Sequence, residues 1–223
     1  ARVRMLLSPI HNHDLWTVRG QYGYKPTLPA IAGSEAFGVV DAVGEGVEGL
    51  AIGQRVTTAG ARGAWAEYFV VPANSLVPVP DAIDDATAAQ LVAMPLSALM
   101  LLETLGVEAG DWIVQNAANG AVGKALAMLA RARGVNVLNL VRREEGVAEM
   151  AAQGIGNTVC TMHEGWKAQA RDLMGGARPK AAVDSVSGPA SGVLCSLLGE
   201  NGLLVSFGSM TGESMQIPSG ELI

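Results

Sequence analysis

The 223-residue chain is 49% apolar and 16% charged, with 28 glycines in no regular period, which excludes a disordered or collagen-like polypeptide and leaves material for one large core or two smaller ones. A formal net charge of -6 argues against nucleic acid or an anionic membrane surface as the main partner. Two cysteines, Cys160 and Cys195, cannot alone build a disulfide framework or a thiolate zinc cluster, so a reducing, cytoplasmic compartment is expected.

Residues 2–7 (RVRMLL) alternate and then run apolar as a strand does, and apolar character returns at 216–223. Both ends read as interrupted elements, so the chain is expected to be part of a longer polypeptide. Between 1 and 95, short apolar runs at 37–43, 65–71 and 76–79 are separated by Gly, Pro, Asn and Asp. GEGVEG at 44–49 and AGARG at 59–63 carry turn chemistry. This portion reads as a small antiparallel, barrel-like domain. The longest uncharged run, 86–102, contains Gln90 and Pro95 and is too short to span a membrane comfortably.

From about residue 96 to 223 the pattern changes to strand–helix alternation. Strands are expected at 112–116, 135–141, 158–160, 181–184 and 203–207. Helices are expected at 122–130, 144–153, about 165–174 and 189–198, and such alternation calls for a parallel sheet covered on both faces. The turn ANGAVG at 118–123 joins the first of these strands to an amphipathic helix. Small residues there let backbone amides approach a pyrophosphate, and the helix N-terminus adds positive partial charge. Gly120 is expected to permit the phosphate approach and Gly123 the close helix–sheet packing. A structural turn is the plainer alternative, but the strand before and helix after favour dinucleotide binding. About twenty residues on, the second strand ends at Arg142 and Arg143. Guanidinium groups suit a ribose 2′-phosphate where a carboxylate would suit a free hydroxyl, so NADPH is expected over NADH. Otherwise the pair simply opens a solvated loop into Glu144 and Glu145.

Local matches at GSEAFG (33–38), GEGV (44–47), GQRV (53–56), AWAEY (64–68) and ANGAVG (118–123) carry a resemblance to the medium-chain dehydrogenase/reductase superfamily. The resemblance implies a GroES-like β-barrel-type catalytic domain over 1–95. It also implies an α/β Rossmann domain, a doubly wound parallel sheet, over 96–223, continuing past the last residue. Zinc-dependent alcohol dehydrogenases match poorly: their first cysteine ligand is His11 here, their Gly-His-Glu is Gly33-Ser34-Glu35, and PLSA at 95–98 lacks the third ligand. His11, His13 and Glu35 could in principle meet a metal, but the histidines are read as polar lining or surface residues and no metal is expected.

Within the zinc-independent branch, VQNAAN (114–119) and NLVR (139–142) look like the enoyl thioester reductases of the mitochondrial fatty-acid-synthesis type. The stretch RGQYG (19–23) is similar to the one that holds that family's proton-donating tyrosine, which maps onto Tyr22. His11-Asn12 in place of Asn-Pro, and Met100 in place of a commoner threonine, depart from the pattern. The resemblance thus implies an NADPH-dependent reductase of an activated C=C bond in a small molecule, a 2-enoyl thioester of CoA or acyl carrier protein, acting as a homodimer. Tyr22 would be the acid, its phenol supplying the proton. Asn119, Gly120, Ala121, Val122, Gly123, Arg142, Arg143, Ser185, Phe207 and Gly208 would bind the cofactor, the last three at strand ends. The alternatives are a zinc-independent NADPH:quinone oxidoreductase and a non-catalytic NADPH-binding protein. His163 and Trp166 read as surface and packing residues, and both cysteines as buried thiols without chemistry.

Overall fold

The computed structural model describes residues 1–222 and divides into two compact units, one of Ala1–Met94 and one beginning at Pro95. The first is an antiparallel sheet of β1 (Arg2–Leu7), β2 (Ala36–Ala42), β3 (Arg55–Thr58), β4 (Tyr68–Val70) and β5 (Val77–Pro78), ordered β4-β1-β2-β3-β5. Short helices α1 (Asn12–Val18) and α2 (Asp85–Ala88) lie outside the sheet. Val3, Ala36, Val40, Val56 and Phe69 form the main core of this unit. Arg55 ties the chain's return across it: its guanidinium donates to the carbonyls of Pro80 (2.8 Å) and Ile83 (2.7 Å) and to Asp85 (2.8 Å).

Three elements differ from the sequence-based expectation. β3 reads Arg-Val-Thr-Thr, too polar to stand out, yet Val56, Thr57 and Thr58 are buried. The apolar run at 65–71 pairs as a strand only from Tyr68, because Trp65 turns to hydrogen-bond Ala32 and Pro9. The uncharged run at 86–102 covers the first ten residues of helix α3 (Ala93–Leu105), whose Pro95 falls in the first turn, where no intrahelical N–H is required.

The second unit is a wholly parallel sheet of β6 (Trp112–Gln115), β7 (Asn136–Val141), β8 (Thr158–Cys160), β9 (Ala181–Asp184) and β10 (Leu203–Ser206), ordered β10-β9-β6-β7-β8. Between its strands run α4 (Ala121–Ala132), α5 (Glu144–Ala152), α6 (Trp166–Leu173) and α7 (Pro189–Leu197). Successive strand residues point to opposite faces. Ile113, Val137 and Val183 therefore pack with Leu101, Leu126 and Ala130, while Val114, Leu138 and Ala182 pack with Ala170 and Leu194. Burial on both faces explains why these strands read as continuous apolar runs. Strand order reverses between β6 and β9, which opens a crevice at their carboxyl ends. No helix among the described residues is long and apolar enough to cross a membrane.

The start of α4 lies so close to β6 that a Cβ on Gly123 would stand 2.5 Å from the Ala118 carbonyl oxygen. Gly123→Ala is expected to cost about 1–3 kcal/mol, read as a lower denaturation midpoint. Gly156→Ala, with open space around it, is expected to stay within about 0.5 kcal/mol of the parent.

Candidate cofactor and proton-donor sites

The carboxyl edge of the parallel sheet is organised by polar side chains that are consumed internally. Asp184, at the end of β9, is fully buried. Its Oδ1 accepts from Asn116 Nδ2 (2.7 Å) and from the amides of Val186 and Ser187 (both 2.9 Å); its Oδ2 accepts from Ser191 Oγ (2.5 Å). Asn116, just past β6, accepts in turn from the amide of Ser185 at 2.7 Å. This web closes the point where strand order reverses. Burial alone would push the Asp184 carboxyl up, but the bonds from Ser187, Ser191, Asn116 and Val186 outweigh it and hold the group below its ordinary value.

A second web positions α4. Gln115 Nε2 donates to the Gly123 carbonyl (2.8 Å) and to Asn139 Oδ1 (2.7 Å), and Asn139 Nδ2 donates to the Gly156 carbonyl (2.9 Å). Gln115 and Asn139 are each about 1% exposed. The helix that follows is capped by Gly120, which brings no side-chain acceptor. The amides of Ala121, Val122 and Gly123 consequently have no acceptor among the described residues. Three unpaired amides at the positive end of a 12-residue helix fit a pyrophosphate. Asn119 instead donates to Glu149 (3.3 Å), which also pairs with Lys124. Arg142 and Arg143, at the end of β7, are exposed, and neither makes a side-chain hydrogen bond or ion pair among the described residues. Ser185, Phe207 and Gly208 come together at the ends of β9 and β10: the amides of Phe207 (2.8 Å) and Gly208 (3.1 Å) both donate to the Asp184 carbonyl. Phe207 is exposed at the sheet edge rather than packed in the core.

In the first unit, Gly33 takes φ +96° in a turn so tight that a Cβ would meet Trp65 at 2.5 Å. The turn delivers Ser34 and Glu35 to α1. Glu35 is fully buried; its Oε2 lies 2.6 Å from His11 Nε2, and its Oε1 accepts from the amides of Val92 (3.0 Å) and Ala93 (2.8 Å). His13 Nε2 meets Ser34 Oγ at 2.7 Å, and Asp14 accepts from the His11 amide at 3.1 Å. The His11 and His13 rings stack at 5.1 Å, and their Nε2 atoms are engaged by different partners, Glu35 and Ser34. Burial pushes the His13 pKa down, with His11 adding to the effect against Asp14 and Glu35, which favours the neutral ring.

Tyr22 lies beside this cluster, its ring 5.7 Å from that of His13. It is 44% exposed, and its hydroxyl has no hydrogen-bond partner among the described residues, so it does not cap a loop. Sequence brought His11 and Glu35 together only as candidate metal ligands, not as a hydrogen-bonded pair, and it did not link Asn116 with Asp184. The two pairs join residues 24 and 68 positions apart, respectively, and only the pairing reveals them.

Asp184→Ala would strand three buried donors and the half-buried Val186 amide and is expected to cost about 3 kcal/mol or more in a denaturation experiment. Because the folded pKa of Asp184 is depressed, its contribution is present above the unfolded value near ~4 and is lost as pH falls below it. The stability gap between parent and variant should therefore close on acidification.

The profile of the alcohol dehydrogenase GroES-like domain matches residues 1–81, and that of the zinc-binding dehydrogenase matches 121–223. The chain is 34% identical to a Xenopus tropicalis protein named mitochondrial enoyl-acyl-carrier-protein reductase, over 100% of this chain and 65% of the relative. It is 31% identical to a Caenorhabditis elegans protein of the same name, over 99% of this chain and 64% of the relative. The chain thus spans somewhat under two thirds of the length of these relatives. The solved Escherichia coli quinone oxidoreductase complexed with NADPH superposes with a TM-score of 0.87 at 27% identity, covering 99% of this chain and 68% of that one. With both domains matched in order, the chain belongs to the medium-chain dehydrogenase/reductase superfamily and is similar within it to enoyl thioester and quinone reductases.

Proposed function

We propose that the protein is an NADPH-dependent reductase of an activated C=C bond, with a 2-enoyl thioester as substrate. The single observation that carries this is the combination at one sheet edge of three acceptor-free amides, at Ala121, Val122 and Gly123, with two unpaired guanidinium groups, at Arg142 and Arg143. Helix amides bind a pyrophosphate and guanidinium groups a 2′-phosphate. NADPH, when bound, supplies the hydride that reaches the β-carbon of the substrate. The names of the two enoyl-acyl-carrier-protein reductases support the thioester as acceptor.

The chain's own residues then have separable tasks. Gln115 and Asn139 fix the α4 terminus, so the amides are held in place before any ligand arrives. Asn116 and Asp184 shape the crevice at the strand reversal, with Ser185, Phe207 and Gly208 held directly against them. Tyr22 donates its phenolic proton to the α-carbon of the enolate, giving the saturated thioester; its free, exposed hydroxyl supports this role. We further propose a homodimer in a reducing, cytoplasmic compartment, compatible with two buried free thiols.

A quinone acceptor is the second reading, favoured by the similarity to the Escherichia coli quinone oxidoreductase. An acceptor panel on the full-length protein decides. Crotonyl thioester is expected to be reduced by NADPH faster than a 1,4-quinone; the reverse order favours the quinone, and NADPH binding without turnover of either favours a non-catalytic protein. Tyr22→Phe is expected to lower kcat on the thioester by about 100-fold with a small change in KM. An unchanged kcat removes Tyr22 as the acid.

A further inference from the structure

The segments that leave β7 and β8 bring together three side chains with no part in the web around Asp184. Cys160 closes β8; its thiol is buried and donates to the Arg142 carbonyl at 3.3 Å. His163, three residues on, is exposed and turns back to place Nε2 2.5 Å from Oε1 of Glu144, the first residue of α5. A sulfur, an imidazole nitrogen and a carboxylate oxygen thus lie within 4.8 Å of one another. We propose that Glu144, Cys160 and His163 form a binding site for a zinc-class divalent metal ion.

The ligand chemistry selects the metal. Thiolate and imidazole suit zinc and its neighbours, whereas magnesium and calcium want oxygen alone. Zinc binds sulfur at about 2.3 Å and nitrogen or oxygen at about 2.0–2.2 Å, so tetrahedral ligands stand roughly 3.3–3.7 Å apart. An ion inserted between His163 and Glu144 replaces the proton they share and spreads them, while the sulfur is drawn in. The β8 backbone fixes Cys160, and the two exposed side chains are free to adjust. Cys160 gives up its thiol proton and with it the bond to the Arg142 carbonyl. Three protein ligands leave the fourth position to water. The site rests on these three residues and stands independently of the proposed reaction.

Cobalt(II) is the probe, because its charge-transfer absorption reports sulfur ligation. Metal-free full-length protein titrated with Co2+ is expected to develop a near-ultraviolet thiolate band at one equivalent, and Zn2+ is expected to displace it. Histidine-only binding near His11 and His13 is silent in that band. The band should vanish in Cys160→Ser and persist in Cys195→Ser. His163→Ala and Glu144→Gln, both exposed and tolerant of substitution, should weaken cobalt affinity roughly ten-fold or more, which keeps the test open if Cys160→Ser does not fold. No sulfur band at stoichiometric cobalt, a band that survives Cys160→Ser, or unchanged affinity in both exposed variants overturns the site. These outcomes are read without cofactor or substrate, so they are distinct from failure of the reductase assignment.

Discussion

The buried carboxylate of Asp184 is the constraint on which the second unit's working edge depends. Removing a charge from water costs several kcal/mol unless its lone pairs are filled. Here two side chains and two backbone amides fill them, drawn from the turns after β6 and β9 and from α7. Folding that edge any other way would strand the charge. Asp184 therefore specifies the shape of the crevice at the strand reversal more than it adds to net stability.

The same logic separates polar groups that build the protein from those left to act. Asn116, Gln115, Asn139, Asp184, Glu35 and His11 are buried and engaged, and they hold backbone where it must be. The amides at the start of α4, the guanidinium groups after β7 and the Tyr22 hydroxyl are available. The cofactor-binding and proton-donor roles are assigned to the available groups because cofactor and substrate can bind them without breaking an existing bond.

Much of the parallel sheet was legible from the chain itself. β8 and β9 have the expected bounds because Thr-Val-Cys and Ala-Ala-Val-Asp are short apolar runs closed by turn residues. α4 follows from the spacing of Val122, Leu126, Leu129 and Ala130. The first unit was harder to read. β3 hides its pattern because threonines fill buried positions, and α1 begins after a histidine rather than a usual capping residue. The polar webs were not legible as webs. VQNAAN and NLVR stood out as family phrases, but only the fold shows that Gln115 reaches Asn139 and Asn116 reaches Asp184. Those partners are set by strand order, and strand order is not local in sequence.

The central claim is that the sheet edge binds a dinucleotide through helix amides and discriminates its 2′-phosphate through Arg142 and Arg143. Calorimetric titration of the full-length protein with NADPH and NADH tests it most directly, beside the double variant Arg142→Ala/Arg143→Ala. NADPH should bind at least roughly ten-fold tighter than NADH to the parent, and the double variant should lose that preference while keeping its NADH affinity. Equal affinities in the parent, or a preference that survives loss of both arginines, would contradict it.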